Sequence, residues 1–375
     1  MSTEVSQAAG RLEAGPARAA PSRLGSARSG PGGSAPARLI SAGLSQRMLV
    51  LGMLVIVLLV ACFASVAIGA RAVSLPTVFD ALGNLGQPLS NDDWAVVHNR
   101  IPRTVTGLLV GACLGLAGTS MQGLTRNPLA DPGLLGVNAG AALAIVSAVV
   151  FFGAVQPLSY VWFGFLGAAF AAVVVYSVAS MGREGATPVK LALAGAALTA
   201  GLFSLLNALL VSNQDALTAF RNWQVGSLAG KDWEQILTLL PFMLAGVLLV
   251  LGTGRWLNGL ALGDDLARGL GQNPALARGV SGLGVVLLCG SATALAGPIA
   301  FIGLVVPHLL RTLIGTDYRW LLPYAVLTAP IILLAADVLG RVVMLPGEVA
   351  AGILTVFIGG PMFIVLVRAR GAVSL

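Results

Sequence analysis

The sequence predicts an all-α polytopic membrane protein of about ten transmembrane helices, and three observations carry that reading. Of 375 residues, 57% are hydrophobic and only 10% charged, where a soluble domain carries about a quarter charged. The apolar residues fall into separated blocks of roughly 20, the length that carries a helix across a hydrocarbon core about 30 Å thick. The apolar–polar alternation of a barrel strand is missing, so helices must satisfy the backbone inside the membrane.

The elements follow in order. Residues 1–46 are rich in Ala, Gly, Pro, Ser and Arg and nearly free of aromatics. They cannot bury enough surface to fold and are expected to be a disordered basic cytoplasmic tail. A transit peptide shares this Arg-rich, acid-poor composition, but a tail whose arginines orient the first helix is preferred. Residues 47–370 then form one transmembrane domain, with spans expected near 48–69, 104–124, 134–153, 158–180, 189–211, 233–253, 279–298, 300–314, 321–340 and 349–367. The block from Gly279 to Leu313 is nearly continuous apolar sequence, and it is divided at Gly297-Pro298 because Pro cannot continue a helix without losing a backbone hydrogen bond. Between the second and third spans, TRNPLADPGLLG (Thr125 to Gly136) carries two prolines, an Arg and an Asp. Asn127-Pro128 and Asp131-Pro132 favour turns, and charge is costly at the bilayer centre, so this stretch is expected at the membrane edge. Residues 255–278 read as two short cytoplasmic helices broken at Gly271-Gln272-Asn273-Pro274.

Charge sets the orientation. With the N-terminus in the cytoplasm, this topology puts 16 of the 22 Lys and Arg residues on the cytoplasmic side, as the positive-inside rule requires. Both termini are therefore expected in the cytoplasm and the chain in the cytoplasmic (inner) membrane. The net charge of +7 does not mark a nucleic-acid binder, because no basic stripe is interleaved with aromatics. Cys62, Cys113 and Cys289 fall at unrelated spacings inside apolar blocks, so neither a disulfide framework nor a metal site is expected. The small-residue series Gly107, Gly111 and Gly115 suits close helix packing.

Catalytic chemistry is not visible. The phosphate-cradling pattern has one near miss at Gly230-Lys231, followed by Asp232 rather than Ser or Thr. Only two histidines exist, His98 and His308. The carboxylates Asp337 and Glu348 lie near outer helix ends, not at mid-membrane where proton-coupled carriers need them. An intramembrane hydrolase would need a nucleophile motif such as GxSxG, which is absent.

The stretch RIPRTVTGLLVGACLGLAGTSMQGLTRNPLADPGLLGVNAGAALA (Arg100 to Ala144) resembles the FecCD-type permeases of bacterial ABC importers for ferric siderophores and vitamin B12. The likeness continues through GSLAGKDW, LALGDDLARGLGQNPALAR, GSATALAGPIAFIGLVVPHLLR, DYRWLLP, ADVLGR and LPGE to IGGPMFIVLVRAR, and is strongest to the ferric-siderophore branch. It implies a BtuC-like importer permease fold and a permease subunit that is not itself an enzyme. The implied partners are a second permease, identical or homologous, two ATPase subunits that bind ATP and Mg, and an extracytoplasmic substrate-binding protein. No cofactor is expected in this chain. By resemblance, Gly263, Asp264, Ala267, Leu270 and Gly271 couple to the ATPase, while Arg100, Arg103 and Arg341 dock the binding protein. The translocation path would be lined by Thr199, Ser204, Asn207 and Leu210, with Gln122 and Asn138 deeper in the bundle. The alternatives are the same machine carrying vitamin B12 or haem, and an ion-coupled secondary carrier.

Overall fold

The computed structural model describes residues 44–84, 92–154, 156–181 and 187–371. Residues 1–43, nearly all of the expected tail, lie outside the described residues, and Leu44 already opens the first helix. Among the described residues the chain is helical, without strands. Its helices are α1 (Leu44–Ala67), α2 (Leu75–Gly83), α3 (Asp92–Thr125), α4 (Val137–Phe152), α5 (Pro157–Ala179), α6 (Pro188–Ser212), α7 (Gln214–Gln224), α8 (Trp233–Gly252), α9 (Gly254–Leu262), α10 (Asp264–Gly269), α11 (Pro274–Ala296), α12 (Ile302–Ile314), α13 (Tyr318–Val343) and α14 (Ala351–Gly371). Seven of them (α1, α3, α5, α6, α8, α11 and α13) are long and apolar enough to cross a membrane, and α4, α12 and α14 are shorter apolar helices. Together these ten correspond one to one with the ten expected spans.

Local chemistry sets the helix starts. Side-chain oxygens of Ser74, Thr187, Asn213, Asp232, Asn273 and Asp317 accept backbone N–H bonds at the starts of α2, α6, α7, α8, α11 and α13, satisfying donors that have no partner inside the helix. The largest departure from expectation is α3, which begins at Asp92 rather than near 104 and runs straight through Pro102. The sequence places Asp92 and Asp93 in its first turn, where negative charge is favoured by the helix dipole, and a single internal Pro is tolerated when neighbouring groups satisfy the freed carbonyl. The split at Gly297-Pro298 is found: α11 ends at Ala296, Gly297 has φ 79°, and α12 starts at Ile302.

α3 is the bundle's axis. Its apolar stretch is 78% buried inside the chain, against 11% for α1 and 17% for α6. The glycine series makes this possible. A Cβ on Gly111 would come within 2.6 Å of the Pro330 Cα in α13, one on Gly115 within 2.4 Å of the Ala329 Cβ, and one on Gly118 within 2.1 Å of the Gly303 carbonyl in α12. α4 and α5 meet in the same way, with Gly140 and Gly167 each facing the other's carbonyl oxygen. Where no hydrophobic drive separates helix from lipid, such close backbone approach is what holds helices together.

The bundle has two ends. At the near end, where α1 begins, the Tyr324 hydroxyl donates to the Arg47 carbonyl at 2.7 Å and the Arg47 guanidinium lies over the Trp320 ring. At the far end the last turn of α1 meets the first half of α3 and the end of α13.

Candidate functional site

The stretch from Thr125 to Gly136 turns the chain at the near end. Arg126 takes φ 50°, Asn127 Oδ1 accepts from the Leu129 N–H at 2.9 Å, and Asp131 Oδ1 accepts from the Gly133 N–H at 2.8 Å. A 3-10 turn over Pro132–Leu135 follows, and Gly136, at φ 70°, admits the chain to α4. Burial pushes the Asp131 carboxyl up from its ordinary value, opposed by the Gly133 N–H.

Arg126 reaches across to the short helices of 255–278. Its Nε donates to the Leu260 carbonyl at 2.7 Å and its guanidinium pairs with Asp264, which also accepts from Arg278 at 2.6 Å. One carboxylate thus holds two guanidiniums, and the hydrogen bond from Arg278, with the charge of both arginines, draws the Asp264 carboxyl below its usual range. The expected break is in part elsewhere: the bend inside the segment is at Gly263, at φ 111°, between α9 and α10, whereas Leu270 to Asn273 separates α10 from the long α11. Of the five residues expected to couple, Gly263, Asp264, Leu270 and Gly271 are at least partly accessible, and Ala267 is fully buried within the chain. Leu262, Leu266 and Leu270, exposed by 59%, 60% and 65%, leave this element three uncovered apolar side chains. Sequence reading passed over Leu262 and Leu266, although their spacing of four with Leu270 was visible.

The candidate path residues divide. A cavity of about 710 Å³ is lined by Asn138 of α4, Thr199 and Phe203 of α6, Phe220, Arg221, Trp223 and Gln224 of α7, and Gly352, Ile353 and Val356 of α14. It gathers Asn138 and Thr199 of the expected set; the Asn138 side chain accepts from the Thr293 hydroxyl at 3.3 Å. Ser204 and Asn207 are exposed along the outer face of α6, and Leu210 is buried. Gln122 lies elsewhere, in a near-end cavity of about 520 Å³, where its amide donates to the Gly303 carbonyl and accepts from Arg311. The wall contributed by α7 was missed. Its signal was a short amphipathic segment, Gln214 to Gln224, directly after an apolar span.

Of the three arginines expected to dock a binding protein, Arg100 and Arg341 are buried in their own chain and Arg103 is partly so. Arg341, 1% exposed, donates from Nε to Asp337 at 3.0 Å, and from Nη1 to the Ser65 carbonyl at 2.5 Å and the Ile68 carbonyl at 3.1 Å. Arg100, 7% exposed, donates to the carbonyls of Val66 at 3.1 Å, Ala67 at 2.9 Å and Arg71 at 2.6 Å. The carbonyls of Ser65, Val66 and Ala67 are among those that the end of α1 leaves without intrahelical donors, and Ile68 and Arg71 lie just beyond it. Two cations from other helices therefore cap α1, and positive charge at a helix C-terminus is favourable. Arg103 forms a two-pronged pair with Asp337, at 3.0 and 2.8 Å, and reaches Glu348 at 2.6 Å. Of the three, only Arg103, beside the partly exposed Glu348, stands near the surface.

The FecCD transport family model matches residues 57–369. The chain belongs to the FecCD transport family. It is similar to the ferric enterobactin transport system permease protein FepD of Escherichia coli (strain K12), 44% identical over 83% of this chain and 92% of FepD. The iron(3+)-hydroxamate import system permease protein FhuB of Bacillus subtilis (strain 168) is 40% identical over 82% of this chain and 79% of FhuB. The hemin transport system permease protein HmuU of Yersinia pestis is 38% identical over 82% of this chain and 92% of HmuU. Among solved structures, a metal-chelate type ABC transporter in an inward-facing conformation matches with a TM-score of 0.73 at 28% identity, covering 86% of this chain and 99% of that one. This FecCD chain is a transport permease subunit and an integral membrane protein.

Proposed function

We propose that this permease carries ferric siderophore complexes into the cytoplasm, driven by ATP hydrolysed in two partner subunits and supplied by an extracytoplasmic binding protein. The observation that carries the cargo is the likeness to permeases named for ferric enterobactin and for iron(3+)-hydroxamate over more than four-fifths of the chain. The cavity fits such a load: its wall combines the aromatic rings of Phe203, Phe220 and Trp223 with Arg221, Gln224 and Asn138, groups that can pass a large complex without chelating its iron. The exposed side chain of Asn207 on α6 supports a passage completed by a second permease, because a polar amide is disfavoured against lipid; the neighbouring Ser204 hydroxyl donates to the Ala200 carbonyl of its own helix.

In this reading the near end and both termini are cytoplasmic, and the 255–278 element docks on the ATPase through Leu262, Leu266 and Leu270. ATP and Mg belong to that partner and no cofactor to this chain. Rigid-body movement of the ATPases, passed through α9 and α10, would open the path to each side in turn. The binding protein approaches the far end, beside Arg103 and Glu348. HmuU supports a second cargo, haem, carried by the same machine.

The test is uptake of radiolabelled iron by cells with and without the gene, offered ferric enterobactin, ferric hydroxamates or haem, with ATP dependence measured in vesicles. Loss of one siderophore class alone is expected. Loss of haem uptake alone would change the cargo, and uptake that persists without ATP would overturn the importer.

A further inference from the structure

We propose that the groove between α5 and α11 at the near end is a binding site for an anionic phospholipid, set against the coupling element. The groove encloses about 210 Å³, with Val173, Tyr176 and Ser177 of α5 facing Arg278, Gly282 and Leu283 of α11. It has a head and a tail. Tyr176 and Ser177 lie in the last turn of α5, and Arg278 and Gly279 in the second turn of the antiparallel α11, so the polar groups gather at the depth of the membrane surface. Val173, Leu283 and Val286 stand one to two turns deeper and are wholly apolar.

The notch itself is made by glycine. A Cβ on Gly279 or Gly282 would meet nothing within 4 Å, so packing within the chain does not demand glycine at either position. Val173 and Leu283 are 60% and 54% exposed on the rim, as residues facing acyl chains are.

Charge chooses the headgroup. Arg278, which lines the groove, shares the single carboxylate of Asp264 with Arg126, so that carboxylate does not fully neutralise it. A cation between transmembrane helices at the membrane surface attracts anionic headgroups, and the Tyr176 ring and hydroxyl suit the interfacial zone. The phosphate would meet the Arg278 guanidinium while one acyl chain fills the glycine notch. Arg278 holds Asp264, the first residue of α10, so a lipid seated here touches the hinge between the membrane helices and the coupling element. The site does not depend on which substrate the permease carries.

The experiment uses the purified full-length chain in neutral detergent, titrated with phosphatidylglycerol and phosphatidylcholine and read by native mass spectrometry. The expected preference for phosphatidylglycerol is about fivefold, the effect of roughly one uncompensated basic residue near an anionic surface. Gly282→Leu should fold, since its Cβ meets no atom, and should lose the bound lipid by filling the notch. Gly52→Leu, equally unobstructed on α1, is the control and should keep it. Arg278→Gln should bind both lipids alike. Equal retention of the two lipids by the unaltered chain, or full retention of phosphatidylglycerol by Gly282→Leu, would overturn the site. Displacement of the lipid by millimolar inorganic phosphate would replace it with a simple anion site and overturn the lipid assignment.

Discussion

Both ends of the bundle carry arginines gathered on a carboxylate, yet the two clusters differ in what surrounds them. At the far end Asp337 is fully buried between Arg103 and Arg341, and those guanidiniums, with Arg100, continue into carbonyls of α1 and into Glu348. At the near end Asp264 is partly exposed and its helix, six residues long, is joined to the bundle by a glycine on either side, Gly263 and Gly271. The same pairing chemistry therefore does opposite work. A buried, saturated cluster fixes three helices to one another, while a wet cluster on a short hinged helix can release and re-form as that helix moves. Burial and the neighbouring backbone separate the roles, and residue identity does not.

The largest effect should come from the far end. Asp337→Ala strands two guanidiniums in a place with little water, and breaking a buried ion pair by removing one partner costs about 3–5 kcal/mol. The expected result is a sharp fall in folded protein, seen as lost monodisperse yield and a lower Tm in detergent. A variant purifying at the normal level with an unchanged Tm would remove the distinction between the ends. By the same reasoning Arg100→Glu combined with Arg103→Glu should reduce folded protein and not only docking, because one new carboxylate would face the carbonyls that end α1 and the other Asp337 and Glu348.

How much of this was legible in the sequence follows from what each feature depends on. The ten spans were readable because hydropathy over about 20 residues decides them locally, and so was the break at Gly297-Pro298. The start of α3 was not, because Arg100 and Arg103, either side of Pro102, look like a boundary until partners in α1 and α13 satisfy them; those partners lie 33 to 234 residues away in the chain. The glycine series of α3 announced close packing but not its partner, since helix periodicity names a face and never the neighbour. Thr199 and Asn138 line one cavity, whereas Gln122 is drawn to Arg311 by an interaction that no local pattern encodes.

The near end should answer with function more than stability. Asp264→Asn removes the counter-charge of Arg126 and Arg278 at a partly exposed site, where an ion pair contributes about 1 kcal/mol or less, so Tm should barely move. Transport should fall, because the hinge loses what aligns it. Leu266→Glu with Leu270→Glu tests the uncovered apolar side chains instead of the hinge: the chain should purify normally while co-purification of the ATPase drops several-fold. Normal ATPase capture together with normal transport would deny this element its coupling role.

The smallest effect separates the ends by pH. Two near-end carboxylates are held below their ordinary value of 3.8: Asp264 by Arg278 and Arg126, and Asp317, at about 2, by the Arg319 side chain, then Asn258 and the Arg319 backbone N–H. A carboxylate whose folded value is depressed stabilises the fold fully above its unfolded value, and that contribution disappears as pH falls through the folded one. For Asp317 the window therefore runs from just above 3.8 down to about 2. Asn caps a helix about as well as Asp, so Asp317→Asn keeps the α13 cap and removes only the titrating charge. Its Tm should lie slightly below that of the unaltered chain at pH 6 and meet it near pH 2. A gap that persists undiminished at pH 2 would mean that the side chain acts through its shape and hydrogen bonds. In that case the wet, charge-tuned character assigned to the near end would rest on Asp264 alone.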